Sequence, residues 1–226
     1  MLFTLPDLLA IAFFAVCWLG YSFVLEWTAH GRTGLNARMH DYRDGWMQQM
    51  LRRDMRMVDA QIMASLQNGT AFFASTSLIA VGGTLTILRS TDDLITIVST
   101  LPFGVQTTRM IWEIKVIGLA VIFVYAFFKF AWSYRLYNYV AIMIGAMPPA
   151  PEKDNAEAQR HARRTGKLCE SAGHHFNRGQ RAFFFALGYL GWFVSPWLLF
   201  ATTAAIVVVM WNRQFTSDAS AAMTAR

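Results

Sequence analysis

The sequence predicts an all-α membrane protein whose chain crosses the bilayer four times. Of its 226 residues, 55% are hydrophobic and only 15% are charged, whereas a soluble domain carries about 25% charged residues. The mean hydropathy is +0.32, and four stretches of the chain are apolar over the roughly 20 residues that a helix needs to span about 30 Å of hydrocarbon. Because unpaired backbone groups cannot face lipid, each span must be a helix.

The predicted spans lie at about 6–27, 70–88, 112–132 and 182–211. The last is longer than a bilayer needs and contains Pro196, so we expect it to tilt or kink. The first is expected to remain in the membrane, because no Lys or Arg precedes it and no cleavage motif of small residues follows it. One membrane domain, residues 1–216, is expected to contain all four spans, followed by a disordered tail over 217–226.

The basic residues predict an orientation for these spans. Segments 28–69 and 133–181 together carry 14 Lys and Arg residues, and the segments at the other membrane face carry 5. Cytoplasmic loops are the loops enriched in Lys and Arg. We therefore expect both basic segments in the cytoplasm, a location in the cell inner membrane, and both termini outside the cytoplasm. The same residues account for the net charge of +6, so no nucleic-acid partner is expected.

Both basic segments contain amphipathic helical patterns. Over 45–66, apolar residues recur at helical spacing from Met47 and Met50 onward, which predicts a helix that lies on the inner leaflet or packs against the ends of the spans. The third span stays apolar as far as Met147 and then meets several prolines, so we expect its helix to continue beyond the bilayer until they stop it. Such an extension needs a cover, and the helix over 45–66 is the nearest candidate.

A further helix is predicted from about Pro151 toward the fourth span. One face of this helix is basic and is a candidate for binding the headgroups of anionic lipids in the inner leaflet. The residues of this basic face are Arg160, Arg164, Lys167, Arg178 and Arg181. A different face carries Gly166, Cys169 and Gly173, which are small enough for close helix contact.

No catalytic or nucleotide-binding motif is evident. All histidines lie outside the spans, which argues against a haem held within the bilayer. A metal site of Cys169, His174 and His175 is an alternative, but Cys169 and His174 point about 140° apart around a helix. The spacing of Met47 and Met50 is compatible with Cu(I) ligands, although packing is the simpler interpretation of an apolar face. We expect no enzyme activity, no cofactor and no metal.

Small residues line one face of the second span and one face of the fourth. Such residues let membrane helices approach closely, so both faces are candidates for helix packing within one chain or between chains. They are Ala71, Ser75 and Gly82 in the second span and Gly188, Gly191 and Ser195 in the fourth. The alternative is a polar path lined by Ser75, Ser77 and Thr84.

Few charged residues fall within or near the spans. Glu26 and Lys129 share a depth near the cytoplasmic ends of their spans, and we predict that they form an ion pair if spans one and three are neighbours. Glu113 and Lys115 lie at the other end of the third span, where long side chains reach headgroups. No carboxylate lies near mid-membrane, which argues against ion-coupled transport.

Three runs of sequence resemble those of a known family. The runs are 68–77 (NGTAFFASTS), 130–139 (FAWSYRLYNY) and 175–187 (HFNRGQRAFFFAL). In this order they resemble the domain-of-unknown-function 599 family of bacterial and plant membrane proteins, over roughly residues 5–212. The resemblance implies a multi-span membrane protein without an established activity, and it assigns no catalytic residues.

These observations predict a non-enzymatic membrane protein that works by helix-mediated association. Its partners would be membrane lipids together with either copies of itself or a larger membrane complex in which it is an accessory subunit. The alternative is an oligomeric channel or a small-solute transporter, although four spans are few for an alternating-access carrier.

Overall fold

The structure is a computed structural model that describes residues 3–28, 31–100 and 107–223, apart from the side chain of Arg32. The residues it describes form helices and turns, with no strand among them. The helices are α1 (Leu5–Trp27), α2 (Leu35–Leu51), α3 (Met57–Arg89), α4 (Thr91–Ser99), α5 (Arg109–Gly145), α6 (Ala156–Tyr189), α7 (Gly191–Val194), α8 (Pro196–Trp211) and α9 (Asp218–Ala222).

Four stretches of helix are long and apolar enough to cross a membrane, so the chain is a multi-pass membrane protein. They are Leu5–Trp27, Met57–Arg89, Arg109–Gly145 and Pro196–Ala222. This confirms the predicted fold class. The cytoplasmic amphipathic helices of the prediction are not confirmed by this finding.

Local sequence determines where the membrane helices begin. At α1, the Thr4 hydroxyl accepts a hydrogen bond from the Asp7 amide at 3.4 Å, and the Asp7 carboxylate accepts one from the Thr4 amide at 3.3 Å. This reciprocal pair is a capping box. At α8, the Ser195 hydroxyl accepts from the Leu198 amide at 3.1 Å, and Pro196 occupies the first helical position, which its fixed φ favours.

α5 and α6 pack against each other over most of their length and run antiparallel. α5 has 37 residues and is therefore about 55 Å long, which exceeds the hydrocarbon layer of about 30 Å. It ends at Gly145, shortly before Pro148 and Pro149, as predicted from the sequence. About midway along the pair, the Ser133 hydroxyl donates to the Ala172 carbonyl at 2.7 Å.

The bundle has two cores, one above the other along α5 and α6. The membrane half, where α1 and α8 pack against α5 and α6, contains mainly aromatic side chains, among them Phe14, Phe130, Phe185 and Tyr189. The projecting half consists of α2, the beginning of α3, the end of α5 and the beginning of α6. Its core contains methionine and small side chains, among them Met47, Met50, Met63, Ala162 and Cys169.

The single amphipathic helix predicted over 45–66 is wrong. The chain forms α2 up to Leu51 and starts α3 at Met57. A buried carboxylate explains the break: Asp59, in the first turn of α3, accepts from Trp46 Nε1 at 2.7 Å and from Arg53 Nη1 at 3.0 Å. A donor from α2 and a donor from the turn thus bind one acid, which also favours a helix N-terminus.

The predicted cover for α5 takes a different form: α3 packs on α5, α2 packs on α6, and side chains of all four helices share the core of the projecting half. Met47 and Met50 are fully buried there. Leu51 of the predicted pattern is buried as well, whereas its later members, Met55, Val58 and Ile62, are exposed. The turn between α2 and α3 places them on another face.

The segment 182–211, predicted as one kinked span, is divided between two antiparallel helices. Ser195 has an extended backbone, so α8 starts as a new helix at Pro196 instead of continuing α6 through a kink. The Thr202 hydroxyl of α8 donates to the Gly188 carbonyl of α6 at 2.7 Å. α8 therefore folds back along the last turns of α6.

α8 runs parallel to α1, and this places the ends of the described chain at opposite ends of the bundle. Near the start of α8, Trp192 Nε1 donates to Asp7 Oδ1 at 2.8 Å. Near its end, the Met210 carbonyl accepts from the Tyr21 hydroxyl at 3.1 Å. We call these two ends the Asp7 end and the basic end. The prediction of both termini on one side assumed that segment 182–211 crosses the membrane once. In the structure, α6 and α8 form a hairpin over this segment.

The tail predicted to be disordered contains the short helix α9. Arg38 of α2 donates through Nη1 to the Ser220 carbonyl at 3.0 Å, and this contact holds α9 at the basic end. Residues 224–226 of the predicted tail lie outside the described residues.

Candidate functional site

A polar cavity of about 730 Å³ lies at the basic end, between the end of α1, the beginning of α2 and the middle of α6. Trp27, the last residue of α1, is 77% exposed beside it. Exposed Trp rings are typical of the level of lipid headgroups. Among the side chains that line the cavity are Glu26, His40, Lys167, Glu170, His174, Arg178 and Arg181.

Glu26 is the central carboxylate of this cavity. Arg178 binds it through two nitrogens, with Nε 3.0 Å from Oε1 and Nη2 2.6 Å from Oε2. Arg181 forms a second ion pair with Glu26 through Nη2 and Oε1. The paired contacts of Arg178 match the planar geometry of a carboxylate. One acid thus binds two guanidinium groups, and the cluster has an excess of positive charge.

The predicted ion pair between Glu26 and Lys129 is wrong. α6 lies between α1 and α5 at this depth and supplies Arg178 and Arg181 to Glu26. Lys129 instead lies 5.1 Å from the centre of the Tyr125 ring, a cation–π distance. Spans one and three do touch nearby, where the Trp18 and Tyr125 rings lie 5.9 Å apart, but the two arginines of α6 take the place predicted for Lys129 beside Glu26.

Arg181 is the most buried cation of the cavity, with 6% of its surface exposed. Its Nε has no hydrogen-bond partner within the described part of the chain. A buried guanidinium group is costly unless a carboxylate balances it. Glu26 therefore has a structural role as well as a place in the cavity wall.

Two histidines meet one carboxylate oxygen on the opposite wall. Glu170 Oε1 lies 3.1 Å from His40 Nδ1 and 3.2 Å from His174 Nε2. The contact with His40 connects α2 to α6, whereas His174 and Glu170 lie one turn apart on α6. His175 is further inside, where burial lowers its pKa, as do the charges of Lys129 and Arg178.

Cys169 does not face these histidines. It is fully buried in the core of the projecting half, and burial raises the pKa of its thiol to about 11. The structure does not bring it together with His174 and His175. No three His, Cys, Asp or Glu side chains in the described ranges are arranged to hold a metal ion. Met47 and Met50 pack in the same core as Cys169.

The predicted basic face of α6 divides into two parts. Arg160 and Arg164 are exposed on the surface, and Arg160 Nε donates to the Ala156 carbonyl at 3.2 Å. The other three residues, Lys167, Arg178 and Arg181, line the cavity. Binding of anionic lipid by this face stays a prediction, and the cavity separates its members into two groups.

The predicted packing residues also divide. Gly188 and Gly191 pack against α8 within the chain, and a Cβ on Gly191 would lie 2.5 Å from Thr202 Oγ1. Ser195 caps α8. On α3, Ala71 is half-buried, whereas Ser75 and Gly82 are exposed and a Cβ on Gly82 would meet nothing within 4 Å.

The hydroxyls proposed to line a polar path do not share a face. Ser77 and Thr84 are buried and donate to carbonyls of their own helix, at 2.8 Å and 2.6 Å, whereas Ser75 is exposed. Buried hydroxyls recur every seven residues along the face of α3 that packs on α5 and reach the first residue of α4. They are Thr70, Ser77, Thr84 and Thr91. This seven-residue spacing, typical of helices in continuous contact, is a signal that the sequence reasoning missed.

A second charged cluster, at the Asp7 end, was also missed. Lys115 Nζ donates to the Trp192 carbonyl at 2.8 Å and lies 3.9 Å from Asp7 Oδ1. Lys115 and Asp7 are both buried. The expectation that Lys115 reaches headgroups is wrong, because the hairpin of α6 and α8 covers it. The sequence did contain a signal for this cluster: Asp7 at the start of the first span lies at the same depth as Lys115 in the third span.

Comparison with known proteins identifies the family. The family described as "Protein of unknown function, DUF599" matches residues 9–219, a range that begins in α1 and ends in α9. No curated protein and no solved structure matches the chain. The resemblance noted in the three sequence runs is thereby confirmed, and the chain belongs to the DUF599 family of proteins of unknown function.

Proposed function

We propose that this protein acts by helix-mediated association in the cell inner membrane, without enzymatic activity of its own, and that its partner is a second copy of the chain. The observation that carries the proposal is the position of α3 at the edge of the bundle, where it packs mainly on α5. On its other face, Gly69, Gly82 and Gly83 have no neighbouring atom within 4 Å of an added Cβ. Exposed small residues let another membrane helix approach closely.

A symmetric dimer fits this position. Two chains related by a twofold axis would place the exposed face of one α3 against the same face of the other. An accessory role in a larger complex would use the same face with a different helix. The channel alternative has less support, because Ser77 and Thr84 are satisfied inside the chain.

The test is the oligomeric state of the intact protein in mild detergent, measured by native mass spectrometry. Gly82→Leu should weaken the dimer about tenfold, because the added side chain separates the helices. Gly20→Leu on α1 is the matched control: Gly20 also has nothing within 4 Å, and we expect no change. A wild-type protein that is monomeric at all concentrations would exclude the dimer. Co-purification of other membrane subunits from native membranes would then support the accessory role.

We also propose that the basic end faces the cytoplasm, from the distribution of Lys and Arg. Arg213 adds a further positive charge to the basic end, because α8 ends there. The guanidinium of Arg213 lies 5.4 Å from the centre of the Phe184 ring. The start of α1 would then be outside and α9 in the cytoplasm. Green fluorescent protein fused after α9 should therefore fluoresce, and a dark, exported fusion would contradict this orientation.

A further inference from the structure

We propose that the cavity at the basic end is a binding site for a phosphate-bearing anion. Its four cations are Arg43, Lys167, Arg178 and Arg181, and its three acids are Glu26, Asp41 and Glu170. The cavity therefore carries a surplus positive charge before any of its histidines is protonated. This proposal does not depend on association, because every residue it uses comes from a single chain.

Two of the cations are available for a ligand. Within the described part of the chain, neither Arg43 nor Lys167 has a carboxylate oxygen within 4.0 Å. The acids are partly occupied, since Glu26 binds two guanidinium groups and Glu170 contacts His40 and His174. A phosphate would supply the missing counter-charge.

The guanidinium groups are held in place before any ligand binds. Arg178 is fixed by its two contacts with Glu26. Arg43 crosses α6 at Gly173, where a Cβ would lie 2.8 Å from its Cζ and 2.9 Å from its Nη1 and Nη2. A glycine at this position therefore leaves space for the guanidinium. Pre-positioned Arg groups lose less conformational freedom when they bind a phosphate.

The depth and size of the cavity restrict the ligand. A volume of about 730 Å³ exceeds the need of an inorganic anion and is in the range of small-molecule sites, about 300–1,000 Å³. Leu25 and Trp27 form an apolar part of the wall at the end of α1. The chemistry fits a phosphate ester, either the headgroup of an anionic phospholipid or a soluble phosphate compound.

The experiment uses the intact protein in nanodiscs of neutral phosphatidylcholine. Phosphatidylglycerol or inorganic phosphate is added, and the shift in melting temperature and the lipids retained in native mass spectrometry are measured at low salt. Arg43→Gln with Lys167→Gln should weaken phosphatidylglycerol binding about tenfold or more, since each charge near the membrane contributes about 1 kcal/mol. The matched control, Arg160→Gln with Arg164→Gln, removes two exposed charges from the same end and should weaken binding less than twofold.

A third variant keeps the proposal testable if the first does not fold. Asp41→Asn removes an exposed acid from the wall and should strengthen binding severalfold. Equal losses in the two double variants would show diffuse attraction and overturn the proposal, as would a wild-type protein that responds to neither phosphate nor phosphatidylglycerol. Equal stabilisation by phosphate and by lipid would support a soluble phosphate compound, and stabilisation by the lipid alone would support a headgroup.

Discussion

The membrane half and the projecting half of the bundle are filled by different side chains, although α3, α5 and α6 pass through both. In the membrane half, aromatic rings interlock: Phe73 and Phe130 stack at 5.4 Å, and Phe14 meets Phe185 edge-on at 5.7 Å. In the projecting half, methionine, aliphatic and small side chains make up most of the core, with Tyr137 as its one buried aromatic member among the described residues. Lipid is as apolar as the side chains, so helices within it associate through close packing and polar contacts. In water, burial of apolar surface is itself the driving force.

Charged clusters are found at both ends of the membrane half. At the Asp7 end, Lys115 and Asp7 are enclosed by the hairpin. At the basic end, Glu26 and its two arginines border a cavity. The enclosed cluster fixes the positions of helices, whereas the open one has space for a ligand. The two clusters therefore show that buried charge in this protein serves packing at one end and a candidate site at the other.

The largest effect is expected from separating the enclosed pair. Lys115→Met leaves the buried Asp7 carboxylate without its cation, and removal of one partner of a buried pair costs about 3–5 kcal/mol. The free energy of unfolding, measured in detergent, should fall by that amount. Adding Asp7→Asn should recover much of the loss, whereas additive losses in this double-mutant cycle would show that the two side chains do not interact. Glu113→Gln, at the same end and more exposed, is the control and should change stability by no more than about 0.5 kcal/mol.

Much of the fold could be predicted because its signals are local. The apolar run that predicts α1 and the prolines that predict the end of α5 can each be read from one short stretch of sequence. The hairpin at 182–211 was missed because both of its arms are apolar, so hydropathy does not mark the reversal. Ser195 followed by Pro196 is a helix-start signature that would have indicated it.

The candidate site was only partly predictable. The spacing along α6 identified Lys167, Arg178 and Arg181, because residues on one helical face recur at three or four positions. The partners Glu26 and Arg43 come from α1 and α2, and their approach depends on which helix lies between α1 and α5. Single-helix periodicity contains no information about that order.

A smaller effect is expected at the junction of the two halves. A Cβ on Gly179 would lie 2.8–2.9 Å from the Phe130 ring, so Gly179→Ala forces the ring to move and should cost about 1–3 kcal/mol. The matched change in the projecting half is Gly45→Ala, where nothing lies within 4 Å. There alanine should stabilise α2 by about 0.5–1 kcal/mol. Thermal unfolding of both variants in detergent gives the comparison, and changes of the same sign would contradict the contrast between the halves.

Cys169 offers a direct measure of opening in the projecting half. Its thiol is fully buried, and burial raises its pKa to about 11. The thiolate is the form that reacts with maleimide, so labelling near neutral pH requires the core to open. In a protein with Cys17→Ser, labelling of the single remaining thiol therefore reports the opening equilibrium of this half alone.

The smallest effect is expected from exchanging a methionine in that core. Met47 is fully buried, and Leu has a similar volume, so Met47→Leu should cost less than about 1.5 kcal/mol. Labelling of Cys169 should then accelerate by no more than about tenfold, because 1.4 kcal/mol corresponds to a tenfold change in an equilibrium. Met47→Ala removes more of the side chain and should cost about 2–5 kcal/mol, with labelling faster by about thirtyfold or more. Equal labelling rates in the leucine and alanine variants would contradict this prediction. They would mean that the core of the projecting half depends on the exact shape of methionine, and that it tolerates substitution no better than the interlocked rings of the membrane half.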